Sequence, residues 1–172
     1  VLGLLTNNIT VGYYSIAEKI YMALRSLFGP VSTVLYPYIS HKKNVTLYKK
    51  IFYVAIILNV FIVIIMWILA PWLIKLISGQ YIAETINAFR ILVIIALMSV
   101  PSSLLGYSFL AALGYKSYAN YSVLIAALVH LFGLGILYVF DAVTLNSVIY
   151  MLAITESIVF FIRLFAIKKH DL

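Results

Sequence analysis

Residues 51–74 read IFYVAIILNVFIVIIMWILAPWLI, twenty-four positions without a charge, closed by Lys50 on one side and Lys75 on the other. A hydrocarbon core of about 30 Å needs roughly 20 residues of helix at 1.5 Å each. The stretch is long enough to cross a membrane, and it lacks the strict alternation over about ten residues of a barrel strand. Working outward, 91–115 between Arg90 and Lys116 and 117–140 between Lys116 and Asp141 are uncharged runs of the same kind. A fourth, 146–167, is apolar except for Glu156 and Arg163. Helical periodicity is uninformative inside such runs, because a helix facing lipid on most sides needs no polar face.

The whole composition agrees. Of 172 residues 65% are hydrophobic and 10% charged, where a soluble domain has about 45–50% and about 25%. A chain this small cannot hide that excess in one core. A soluble globular enzyme, a disordered chain and a disulfide-stapled module are excluded, the last because there is no cysteine. The net charge of +7 reads as cytoplasmic loops and anionic headgroups rather than nucleic acid.

Residues 11–40 carry Glu18, Lys19, Arg25, Pro30 and Pro37, yet their length suits a tilted fifth span. Val1 to Leu5 reads as the last turns of a helix that begins earlier, so the chain is taken as a fragment. The expected fold is an all-α polytopic membrane bundle of five complete transmembrane helices plus the end of a sixth. Seven lysines (Lys42, Lys43, Lys49, Lys50, Lys116, Lys168, Lys169) fall on one side, against Lys75 and Arg90 on the other. The positive-inside rule makes the lysine-rich side and the C-terminus cytoplasmic. No loop exceeds about fifteen residues on this reading. Three Asn-X-Ser/Thr matches, including Asn44-Val45-Thr46, are short enough to arise by chance.

The 11–40 segment is the most informative. Tyr14, Glu18, Tyr21, Arg25, Gly29, Ser32 and Tyr36 fall within an arc of roughly 80° on one continuous helix. A charged residue at membrane depth faces a bundle interior or a wet cavity. Arg25 cannot shed its charge, and lining of a pathway is its natural reading. A structural ion pair between neighbouring spans is the competing one, and for Glu18 both stay open. Lys19 lies off the stripe and is expected to snorkel outward. Glu156, at mid-helix, reads equally as an ion-coupling carboxyl or a hydrogen-bonded structural one. Arg163 is expected to be an interfacial anchor and His130 a packing histidine. Pro101, with Ser99, Ser102, Ser103 and Gly106 around it, interrupts its span and marks close helix packing. Trp67, Trp72 and Tyr115 look like interfacial belt residues.

One block in this segment carries a resemblance. Val11-Gly12-Tyr13-Tyr14-Ser15-Ile16-Ala17-Glu18-Lys19, followed by Gly29-Pro30 and Leu35-Tyr36-Pro37-Tyr38-Ile39-Ser40, resembles the eighth helix of Wzx-type O-antigen and polysaccharide flippases. These belong to the multidrug/oligosaccharidyl-lipid/polysaccharide exporter superfamily. The rest is similar more loosely, through the order of spans and the Leu113-Gly114-Tyr115-Lys116 turn. In that family the basic residue stands more often where this chain has Met22, and an amide stands where it has Arg25. The charge is displaced along the same face.

The resemblance implies that residues 1–172 are the C-terminal lobe of a twelve-helix transporter, paired with a six-helix N-terminal lobe of the same protein. The substrate would be an undecaprenyl-diphosphate-linked oligosaccharide. It would be flipped by alternating access from the cytoplasmic to the periplasmic leaflet of the bacterial inner membrane. The substrate pathway would hold Tyr14, Glu18, Tyr21, Arg25, Ser32 and Tyr36, with ion coupling at Glu18 or Glu156. Membrane lipids are the other expected partner; no metal, cofactor, catalytic residue or nucleic acid is expected. The alternatives are a multidrug exporter or lipid II flippase of the same superfamily, or a membrane-embedded polysaccharide polymerase or ligase. An enzyme of that kind calls for a large loop with clustered catalytic groups, which three scattered histidines (His41, His130, His170) do not supply.

Overall fold

The computed structural model describes residues 8–172, with side chains from Val11 onward. The expected helix end at residues 1–5 lies outside them. Six helices follow in order, and no strand occurs among the described residues: α1 (Asn8–Ser26), α2 (Gly29–Lys42), α3 (Val45–Ser78), α4 (Ala83–Ser103), α5 (Lys116–Val139) and α6 (Leu145–Lys169). A π-helical segment, Leu104–Ala111, prolongs α4. Four helices are long and apolar enough to cross a membrane: α3, α4 with its π extension, α5 and α6. The chain is a polytopic membrane protein.

The expected single helix over 11–40 is two helices. Pro30 is the cause: its ring collides with the carbonyl four residues back, and it has no N–H to give. The chain tightens, with Leu27 N–H bonded to Leu24 O and Phe28 N–H to Arg25 O, and restarts with Pro30 in the first turn of α2. α1 carries three charges and α2 has only 14 residues, so neither half matches the other four as a span.

Elsewhere the helices outrun the uncharged runs. α3 absorbs Lys49, Lys50 and Lys75 into its end turns, leaving only Lys43 and Asn44 between α2 and α3. Asn44 is a helix cap, its side chain accepting from Leu47 N–H at 2.9 Å. Gly79 ends α3 at φ 77°, a conformation that favours glycine. The longest connection, 140–144, has five residues and leads into a capping box made by Thr144 and Ser147.

α4 is the axis of the bundle. Its apolar stretch is 67% buried, against 17%, 11% and 17% for α3, α5 and α6. It packs against α1, α3 and α6, while its π extension touches α2 and α5. Ala88, Phe89, Leu92, Val93 and Ala96 form the centre of the larger apolar core. The outer helices turn Ile, Leu, Val and Phe outward, as lipid allows. A second cluster joins Ile39, Tyr48, Phe109, Leu113 and Ile167, and Tyr115 packs on His170 at 4.3 Å between ring centroids. The three lysine-bearing segments therefore meet at one end of the bundle.

Candidate functional site

Four of the expected pathway residues lie on α1 and two on α2, so the break at Leu27 and Phe28 divides the stripe. Tyr14 donates its hydroxyl to Glu18 at 3.2 Å, a contact one helical turn apart. Tyr21 is buried, and its hydroxyl donates to Ser99 on α4 at 3.0 Å. Ser32 shares a short hydrogen bond with Ser108. Tyr36 stacks on Tyr107 with centroids 4.5 Å apart and planes 19° from parallel. The partners Ser99, Ser108 and Tyr107 all belong to α4 or its extension. Tyr21, Ser32 and Tyr36 thus face the axis helix.

Arg25 reaches further. Its guanidinium donates to Glu156 on α6 at 3.0 Å, with 30% and 16% of the two side chains exposed. It also stands over the Tyr21 ring, 5.7 Å from the centroid. The two charges that interrupt apolar helices thus meet, though 131 positions separate them. The pair lies on the wall of a cavity of about 740 Å³, to which α1, α4, the π segment, α5 and α6 all contribute. Of the six expected pathway residues only Arg25 lines this cavity, together with the expected coupling residue Glu156.

Arg163 is the principal correction. It is no interfacial anchor: 8% of it is exposed, and its guanidinium is held between three elements. Nε donates to Ser122 Oγ at 3.0 Å, Nη1 to the Ser102 carbonyl at 2.5 Å, and Nη2 to the Ala119 carbonyl at 3.3 Å. It lines the same cavity. Room for it comes from Gly106, where any Cβ would overlap the guanidinium. Pro101 does not end its helix. α4 continues to Ser103 before the backbone widens into the π segment, a distortion often found at functional sites. The small residues around Pro101 do allow close approach, and what approaches is a cation.

His130, expected to be a packing histidine, is half-buried and lines the cavity. Lys19 is exposed as expected. No group of histidines and carboxylates among the described residues could hold a metal ion.

Two guanidiniums and one carboxylate line the cavity, with Ser99, Ser102, Ser103 and Tyr107 beside them. Charged side chains on the wall of such a cavity are the groups best placed to meet a polar ligand. The arrangement suits an anionic, hydroxyl-rich ligand better than a cationic one. No protein family, curated protein or solved structure matches the chain.

Proposed function

We propose that this bundle is the C-terminal lobe of a flippase in the bacterial cytoplasmic membrane, with its lysine-rich end and C-terminus cytoplasmic. Its substrate is an undecaprenyl-diphosphate-linked oligosaccharide, handed from the cytoplasmic to the periplasmic leaflet by alternating access. The observation that carries this reading is the Arg25–Glu156 pair at 3.0 Å on the wall of a roomy cavity. Charges held at membrane depth and open to a cavity are characteristic of transport pathways. The resemblance of the Val11–Lys19 and Gly29–Ser40 block supports the same choice.

The chemistry follows from the substrate. Its phosphates need cations, its sugars need hydroxyl and aromatic surfaces, and its lipid tail stays between lobes. No bond is made or broken. Two conformations with the polar path open to alternate sides suffice, each biased by what it binds. Glu156 is held by a guanidinium in one arrangement and is free to take a proton or another cation in the next. A multidrug exporter for cationic compounds would call for more carboxylate than guanidinium, the reverse of the cavity lining. A polymerase or ligase would call for an extramembrane catalytic loop, and connections among the described residues stop at five residues.

The test is Arg25→Ala in the full-length protein. Export of surface polysaccharide should be lost while the protein still inserts at its normal level. Export at the parental rate with normal insertion would remove Arg25 from the pathway and leave the assignment on family likeness.

A further inference from the structure

We propose that Arg163, not Arg25, is the primary seat for the diphosphate of the carrier lipid; this rests on the flippase reading above. The argument starts from charge. The chain has five acidic residues, Glu18, Glu84, Asp141, Glu156 and Asp171, and only Glu156 lines the cavity. That carboxylate is engaged by Arg25, the one ion pair among the described residues. Arg163 therefore lines the cavity as a cation with no carboxylate in direct contact, and Glu156, on the same helix face, acts on it only through space.

Its hydrogen bonds do not change this. Ser122 Oγ, the Ser102 carbonyl, Ser102 Oγ at 3.4 Å and the Ala119 carbonyl are all neutral acceptors. A guanidinium has five N–H groups, so at least one is left over. These contacts fix the plane of the fork from α4 and α5, as a preorganised oxyanion site requires. A buried guanidinium cannot deprotonate to escape the cost of its charge. An anion entering from the cavity is the partner that lowers that cost. Arg25 is already neutralised by Glu156 in this arrangement and gains less from the same anion. A diphosphate fits because one of its oxygens can take the N–H that remains, while its negative charge offsets that of the buried guanidinium.

The experiment uses the full-length protein in detergent with inorganic pyrophosphate as probe, binding being read by calorimetry. Arg163→Gln should weaken binding at least tenfold, and Arg25→Gln threefold or less. The opposite order overturns the proposal. Should Arg163→Gln not fold, Val159→Glu decides. It places a carboxylate on the cavity wall four residues before Arg163, where the two can pair. Pyrophosphate binding should fall at least tenfold, and binding at the parental strength overturns the site. Phosphatidylglycerol and undecaprenyl diphosphate are then compared as competitors. Displacement by the carrier lipid at a tenfold lower concentration supports the assignment, and equal displacement assigns the site to bulk lipid and sinks it. Transport is not needed for any of these readouts. Binding without flipping would count against the flippase reading alone, and flipping without pyrophosphate binding against the Arg163 seat alone.

Discussion

Arg25 and Arg163 stand on the same cavity and are held in opposite ways. Arg25 comes from a short, broken helix, keeps 30% of its side chain exposed and is met by a carboxylate. Arg163 comes from a long membrane helix, is buried, and is met only by hydroxyls and backbone carbonyls. One is half of an ion pair between two helices. The other is built into the junction of α4, α5 and α6, so that removing it disturbs three helices at once. The contrast teaches that charge at membrane depth is not one category: its surroundings decide whether it can move.

The strongest way to break this contrast is Arg163→Ala. The change leaves the Ser102 and Ala119 carbonyls and the Ser122 hydroxyl facing an emptied space. Hydrogen bonds to charged groups contribute about 1.5–3 kcal/mol each, and orphaned buried groups cost a further amount. A loss on the order of 3 kcal/mol is expected in thermal unfolding of the full-length protein in detergent. An unchanged melting temperature would mean that the junction does not depend on the guanidinium.

Gly106→Ala sharpens the same point from the other side. The added methyl overlaps the guanidinium, so Arg163 must shift or the π segment must open. Overpacking of this kind costs typically about 1–3 kcal/mol. Because the charge is retained, a melting temperature lowered by less than in Arg163→Ala is expected. Combining the two changes should then cost little beyond Arg163→Ala alone, since the clash has gone. An additive double variant would show that the glycine serves the backbone and not the arginine.

The sequence made the four long apolar helices plain, because uncharged length is a direct demand of the bilayer. It placed their ends poorly. Lys50 and Lys75 bounded the uncharged run, yet the helix of α3 continues through both and takes in Lys49 as well, since a helix does not stop where the hydrocarbon does. The polar face over 11–40 was visible as spacing on one continuous rod. The turn at Pro30 cut that rod, and only Arg25 reached the cavity. Arg25 and Glu156 were each conspicuous, but nothing local could join residues 131 positions apart. Arg163 was misread because six residues from a helix end suggests a headgroup anchor. The signal lay in its partners: Ser102 and Gly106 on one helix and Ala119 and Ser122 on another make space that lipid cannot fill. Glu156 and Arg163, seven positions apart, also share a helix face.

The smallest expected effect on stability is that of Glu156→Gln, and it tests the other half of the contrast. The amide oxygen of glutamine can still accept from the Arg25 guanidinium, so the contact survives without its charge. Both side chains are partly open to the cavity, where solvent weakens an ion pair, and exposed pairs contribute only about 0.2–1 kcal/mol. The melting temperature should therefore move much less than for Arg163→Ala, by an amount corresponding to under about 1 kcal/mol. A drop as large as that of Arg163→Ala would mean that the Arg25–Glu156 pair is a structural rivet, and that both arginines are fixed. A small drop leaves Glu156 able to exchange partners, which is what a carboxylate must do if it is to release Arg25 during a transport cycle.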